Sequence, residues 1–428
     1  MVREFDRESL MKSIEDDKEN LKELTSKLIQ IPTENPPGEN YYDICNFLEK
    51  RFKNINFSTK LIRAKGEIGD SDKYPRWNFI ARREGECSGE CIHFNSHIDV
   101  VEAGTGWKYN PFGGEVLDGK IYGRGACDMK GGLASSIIAI ENFIRIHPNY
   151  KGAIEISGTA DEESGGFSGV AYLAKNGYFN PEKVHHVIIP EPLNKNRICL
   201  GHRGVWWAEI LTKGKIGHGS MPFLGDSAIR HMSAVLKEIE ERLLPVLLER
   251  RSSMPVVPEA AKSPSINIQS IHSGEARRVS EAMGMPTPCV PDRCTITIDR
   301  RFLIEENLES VKAEIYNLME RVKKERDNFE YEIKELFAVH PSMTEKTSKI
   351  VKVVGESITE IIGTPAEFVI SPGTYDQKHI DRIGQLKNCI AYGPGILDLA
   401  HQPDEWVAID DMVTSSQVML LSMAKLLV

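Results

Sequence analysis

Short apolar runs of strand length, alternating with segments of helical periodicity, constrain this chain more than any other feature. The runs are 78–83 (NFIARR), 91–101 (CIHFNSHIDVV), 153–160 (AIEISGTA) and 185–192 (HHVIIPEP). A Gly-rich stretch and a helix over about 131–146 separate the second from the third, and a helix over 169–176 separates the third from the fourth. An opening helix is expected from 8 to about 30, where Leu10, Ile14, Leu21, Leu24, Leu28 and Ile29 recur mostly at helical spacing until the loop IPTENPPGEN breaks the pattern. Strands alternating with helices predict an α/β sheet covered on both faces.

Past Gly204 the pattern changes. VWWAEILTKG alternates like a half-buried strand, 227–248 reads as a long helix, and SINIQSIHSG as another strand. TITIDRRFLI (295–304) and FEYEIKELFAV (329–339) flank a charged helix over 308–326. Two helices on one antiparallel sheet make a separate α+β domain. After His340, the helix TSKIVKVVGESITEII and the strands FVISPG and NCIAYGPG return to the first pattern. The expected organisation is therefore a discontinuous α/β domain, 1–204 and 341–428, with 205–340 inserted. A chain of 428 residues exceeds the size at which one hydrophobic core stops growing.

Hydrophobic residues at 41% and charged residues at 27% exclude a disordered chain. The formal net charge is −9 and Lys and Arg are scattered, so no nucleic-acid partner is expected. The first 24 residues lack the apolar core of a signal peptide, and no window approaches the roughly 18 uninterrupted apolar residues of a membrane span. A cytoplasmic protein without a membrane partner is expected. Its eight cysteines then read as reduced thiols, and Cys87 and Cys91, with no second pair nearby, as structural.

The sharpest local signal is Ser96-His97-Ile98-Asp99 at the end of an apolar strand, because residues two apart on a strand share a face. An imidazole that binds metal commonly donates its other N–H to a carboxylate. About thirty residues on, GRGACDMKGG sets Asp128 in a Gly-rich turn before a helix. Thr159-Ala160-Asp161-Glu162-Glu163 follows the next strand, and Ile189-Pro190-Glu191-Pro192 the one after. In open α/β sheets ligands bind at the carboxyl ends of strands. Acids and imidazoles gathered there are costly to hold together unless a cation compensates them.

The order His97-x-Asp99, Asp128, Glu162-Glu163, Glu191 and His401 resembles the family of dinuclear metal hydrolases that includes acetylornithine deacetylase, succinyl-diaminopimelate desuccinylase, aminoacylase and the carboxypeptidase G type of glutamate carboxypeptidase. The resemblance spans nearly the whole chain. It implies a zinc-exopeptidase-like α/β catalytic domain whose inserted domain serves as lid and dimerisation element. It implies that Asp128 bridges two metals, with His97 and Glu191 completing one site and Glu163 and His401 the other. Asp99 would orient His97, and Glu162 would be the general base. One or two divalent transition metals per subunit are implied, and imidazole with carboxylate suits Zn, Mn, Co or Ni without choosing among them. Matches continue in Gly217-His218-Gly219-Ser220 and Asp299-Arg300-Arg301. His218 would reach the neighbouring subunit's active site to stabilise an oxyanion, so a homodimer or higher homo-oligomer is expected, and Arg301 would grip the carboxylate of a small anionic substrate.

Two segments depart from the family pattern. Where a Gly-rich segment with a substrate-contacting asparagine is usual, this chain reads EARRVSEAMGMPTPCVPD, with Pro288 and Cys289 near that position and Arg277 and Arg278 read as loop. Where Gly-Gly-Thr-Ser-Asp is common, it has Ser371-Pro372-Gly373-Thr374-Tyr375-Asp376-Gln377-Lys378. Gly373 and Thr374 are expected to touch substrate, with Tyr375 at the pocket rim. The leading expectation is hydrolysis of the amide bond of an N-acyl amino acid or dipeptide. The alternatives are an aminohydrolase that removes the amino group of an activated aromatic acid of aminobenzoate type, and a non-catalytic relative.

Overall fold

All seven residues from Cys91 to His97 are buried, so this run has no outward face and belongs in the middle of a sheet. A computed structural model of the protein describes residues 7–256, 259–274 and 288–428; Arg277 and Arg278 lie outside the described residues. The chain divides into two compact units, one of Met1–Gly201, Met343–Val369 and Tyr375–Val428, the other of His202–Ser342 and Ile370–Thr374.

In the first unit the Cys87–His97 strand lies between Lys151–Thr159 and His186–Ile189, parallel to both. Cys389–Ala391 extends the parallel set beyond His186–Ile189. Trp77–Glu84 and Ser58–Arg63 continue the sheet antiparallel on the other side. Register sets His97 opposite Thr159 and Phe94 opposite Ile188, so the three central strands end at the same edge. The helix Gly131–Ile146, buried over nearly its whole length, packs against the terminal helix Ile409–Leu427. The opening helix is two, Arg7–Asp16 and Lys18–Ile29, parted at Asp17, whose carboxylate accepts from Asn142 (2.9 Å). The helix Tyr41–Lys53, which buries Tyr41, Ile44, Cys45, Leu48 and Phe52, and the helix Ile409–Leu427 were not among the sequence expectations.

The second unit is a four-stranded antiparallel sheet in the order Ser265–Ser273, Arg293–Phe302, Gly204–Lys213, Glu330–Val339. Alternate residues Trp206, Ala208 and Ile210, with Cys294, Ile296 and Ile298, form one core with Met232, Val235, Val311, Ile315 and Leu318 from the helices. Fully burying each such large aliphatic side chain contributes about 1.5–3 kcal/mol. The helix expected over 227–248 starts at Ala228, capped by Ser227, and widens by one turn at Ile239–Leu243 before Leu244–Glu249. Pro245 has no N–H to give the carbonyl one turn earlier, which accounts for the irregularity. Residues 370–374, assigned from sequence to the first domain, belong to this unit: the Ile370 amide donates to the Pro255 carbonyl (2.8 Å), and Arg203 Nε donates to Pro372 O (3.2 Å).

Candidate metal centre

Three strand ends and two loops deliver the acids and imidazoles to one place in the first unit. His97 is the last residue of its strand, Glu162 and Glu163 follow Thr159 by a short turn, and Glu191 stands two residues beyond Ile189. Donor atoms of His97, Asp128 and Glu191 lie within 4.8 Å of one another, and so do those of Asp128, Glu163 and His401. Asp128 belongs to both trios: its Oδ1 is 3.0 Å from His97 Nε2 and its Oδ2 3.4 Å from His401 Nε2, which lies 3.1 Å from Glu163 Oε1.

The local scaffolding explains these positions. Gly125, at φ +84°, starts the turn that carries Asp128, and a Cβ there would meet Val100 Cγ1 at 2.5 Å. Glu405, fully buried, accepts at Oε1 from the backbone N–H groups of Cys127 (2.9 Å) and Asp128 (3.0 Å), while Arg124 donates to its Oε2 (2.6 Å). A Cβ on Gly132 would lie 1.9 Å from the Pro190 carbonyl oxygen, so the helix after Asp128 closes onto the backbone carrying Glu191 only because this residue is glycine. Asp161, at φ +61°, accepts from Arg76 Nε and Tyr41 Oη, each at 2.8 Å, and so fixes the turn before Glu162.

Asp99 has a different geometry from the one the resemblance implies. His97 Nδ1 lies 3.0 Å from the Asp99 backbone carbonyl and 3.6 Å from its carboxylate. A carbonyl cannot donate, so Nδ1 carries a proton, and Nε2, 3.0 Å from Asp128 Oδ1, is the nitrogen available to a metal. The buried Asp99 carboxylate instead accepts from the backbone N–H of Glu162 and of Glu163, both at 3.1 Å, and from Asn35 Nδ2 at 3.0 Å. Burial and the nearby Glu163 and Asp161 push its pKa up to about 7, against the opposing pull of His97.

The cluster is short of positive charge. Burial, then Asp128, pushes the carboxyls of Glu191 and Glu163 up. Although burial opposes it, Asp128 is held below the usual carboxylate range by His401 and His97. Asp128 and Glu163 in turn raise His401 to about 10. Buried acids pushed towards protonation by each other, with two imidazoles and no thiolate among them, are a donor set that fits two divalent transition-metal ions sharing Asp128.

Of the other expected site residues, all but Tyr375 belong to the second unit. His218 sits in the second unit on the short strand Gly217–His218, paired with Cys289–Val290, and its Nδ1 is 2.7 Å from Ser220 Oγ. Arg301, also there, is held by Asp299 in a two-pronged pair (2.7 and 3.0 Å). Gly373 and Thr374 belong to the second unit and are partly exposed. Tyr375 does not stand at a rim: it is 5% exposed, and its hydroxyl donates to Gln377 Oε1 (2.6 Å). A buried phenol needs such a partner, and Gln377 is in turn tied to the Leu200 and Cys389 carbonyls.

Sequence reasoning missed Asn35, Arg124, Glu405 and Lys378. Lys378 Nζ lies 3.0 Å from Glu162 Oε1, with the lysine side chain 3% exposed. The departure noted at 371–378 was the available signal for Lys378.

Comparison with known proteins agrees with this architecture. The model of peptidase family M20/M25/M40 matches residues 93–425. A succinyl-diaminopimelate desuccinylase of Acinetobacter baumannii is 28% identical over 396 residues, 91% of this chain and 93% of its own. The crystal structure of human carnosine dipeptidase 1 superposes with a TM-score of 0.73 at 17% identity, over 98% of this chain and 99% of that one. The dipeptidase Dug1p of Saccharomyces cerevisiae gives 0.73 at 16% identity, over 98% of each. On the family match, which spans most of the chain, this protein is a member of peptidase family M20/M25/M40, a metal-dependent hydrolase of amide bonds.

Proposed function

We propose that the enzyme cleaves the amide bond of a small carboxylate-bearing substrate, an N-acyl amino acid or dipeptide, with Glu162 as general base. The observation that carries this reading is the pair of donor trios meeting at Asp128, with Glu162 on the same turn as Glu163. His97, Asp128 and Glu191 would hold one divalent ion and Asp128, Glu163 and His401 a second. Such ions, when bound, acidify water from pKa 15.7 to about 7 and polarise the scissile carbonyl.

The protein's own residues supply the rest. Glu162 takes a proton from the attacking water as its oxygen bonds to the carbonyl carbon, then gives that proton to the nitrogen as the C–N bond breaks, releasing an acid and an amine. Asp99 holds the backbone of the Glu162–Glu163 turn from below. Arg301 receives the substrate carboxylate by sharing or displacing Asp299, since the same planar fork binds either. Gly373 and Thr374 contribute to the substrate pocket. His218, its Nδ1 engaged by Ser220, has Nε2 to offer a developing oxyanion, and it acts from the second subunit of a homodimer.

The test is a panel of N-succinyl and N-acetyl amino acids, dipeptides and aminobenzoates, incubated with protein loaded with Zn, Mn, Co or Ni, scoring free amine and ammonia. Amine release that requires metal and falls about 10²–10⁴-fold in Glu162→Gln is expected. Ammonia release from aminobenzoates with no amide turnover would overturn the assignment.

A further inference from the structure

The two central strands carry a feature that the metal ligands do not explain. His93, Asn95 and His97 alternate along Cys87–His97, while Glu155, Ser157 and Thr159 alternate along Lys151–Thr159. Register sets His93 opposite Glu155, Asn95 opposite Ser157 and His97 opposite Thr159. Six polar residues therefore line one face of an otherwise apolar sheet centre, and every one is buried. Polar groups in such a place are destabilising unless each finds a partner.

Each does, and the partners form one line. Arg82 Nη1 donates to Glu155 Oε1 (2.7 Å), and Glu155 Oε2 lies 2.8 Å from His93 Nδ1. His93 Nε2 lies 2.7 Å from Ser157 Oγ, which donates to Asn95 Oδ1 (2.7 Å). Asn95 Nδ2 donates to Asp376 Oδ2 (2.9 Å), to which Thr159 Oγ1 also donates (3.3 Å). Ser157 thus links His93 to Asn95. Asp376 and Glu162 act together on the Lys378 ammonium, countering the burial that would discharge it. From Arg82 inwards the line runs through Glu155, His93, Ser157 and Asn95 to Asp376.

We propose that Lys378 is a positioning residue for the base: backed by Asp376 at the end of this buried polar line, it pins Oε1 of Glu162 and leaves Oε2 to receive the proton of water. Among the described residues, Oε2 carries no hydrogen bond, whereas Oε1 is held at 3.0 Å. A pinned carboxylate keeps one lone pair aimed without reorganising during the reaction, and a misplacement of about 1 Å costs on the order of 10²-fold in rate. The inference rests on Glu162 acting as the base.

Lys378→Met conserves volume and removes the charge. It should lower kcat about 10²-fold, leave KM within about threefold and keep the metal content per chain at the parent value. A crystal structure of the variant should show the Glu162 carboxylate displaced while His97, Asp128, Glu163 and Glu191 hold their places. Should Lys378→Met fail to fold, Asp376→Asn, which can still accept from Asn95, should give a smaller loss of the same kcat-only kind. An unmoved Glu162 carboxylate, an unchanged kcat or a parallel loss of metal would overturn the proposal. A parent enzyme that hydrolyses no amide would sink the functional reading instead, and the crystallographic comparison would still decide whether Lys378 positions Glu162.

Discussion

Replacing Asp99 with asparagine separates two roles that the motif His97-x-Asp99 leaves fused. The carboxylate is fully buried, accepts from the N–H groups of Glu162 and Glu163 and from Asn35, and stands 3.6 Å from His97 Nδ1. An asparagine has one acceptor oxygen and one donor nitrogen, so it turns an NH₂ towards at least one of the donors that the carboxylate satisfied. A buried donor left unpaired costs about 1–3 kcal/mol, and this one lies in the turn that carries Glu163. Residues that support metal ligands typically contribute 10–100-fold in affinity. The loss should therefore fall on the position shared by Asp128, Glu163 and His401, while His97 keeps its bond to the Asp99 carbonyl. Calorimetric metal titration of Asp99→Asn should resemble that of His401→Ala, with one of two binding events weakened 10–100-fold, and should differ from His97→Ala. A titration matching His97→Ala, or an unchanged parent curve, would refute the reasoning.

Hybrid dimers test His218: a His218→Ala chain exchanged with a Glu162→Ala chain should regain activity, because one of the two sites then carries neither lesion, and verified hybrids as inactive as both parents would end the cross-subunit role. Removing metal with a chelator should lower the unfolding free energy by about 2.7 kcal/mol for a free metal concentration one hundred times Kd, read as a lower denaturant midpoint; an unmoved midpoint would mean that the native state holds no ion. At Asp70, Arg63 and the N–H groups of Gly66 and Arg76 outweigh burial and hold the pKa at about 2. A depressed carboxylate contributes stability above its unfolded pKa that is lost as pH falls through the folded one. Asp70→Asn should thus be less stable than the parent at pH 7, with the gap narrowing as pH falls from about 5 to about 2 in urea titrations; a constant gap would exclude Asp70 as the cause.

The fold was legible wherever burial follows a period. The central strands and the Trp206–Ile296 core follow from runs and alternation that backbone geometry imposes directly. The helix Tyr41–Lys53 has apolar positions at helical spacing as well, but lysine, arginine and acid residues crowd between them and mask the stripe. The gathering of His97, Asp128, Glu163 and Glu191 was legible because each follows a strand or a Gly-rich turn, which is where an α/β sheet delivers side chains to a ligand, whereas His401 was pointed to only by the family resemblance. Asn35, Glu405 and Lys378 were not, because each acts through a hydrogen bond to a partner 64, 277 or 216 residues away, and no local pattern encodes such a pairing.

Tyr375 and Lys378 show what decides the outcome when sequence departs from a familiar pattern. Both stand in the stretch where Gly-Gly-Thr-Ser-Asp is common, and a tyrosine entering it suggests a changed pocket. The chain instead turns Tyr375 inward, where Gln377 satisfies its hydroxyl, and sends the Lys378 ammonium to Glu162. Burial selects between these fates: a phenol can be satisfied by one neutral acceptor, whereas a buried ammonium needs carboxylates around it. Asp376 and Glu162 supply that charge, and Asp376 is itself fixed by Asn95, a polar residue in the middle of an apolar strand. The departure at 371–378 and the polar stripe at 93–97 are thus two ends of one construction. A change at Asn95 or at Asp376 should be felt at Glu162, while the five candidate metal ligands stay where they are.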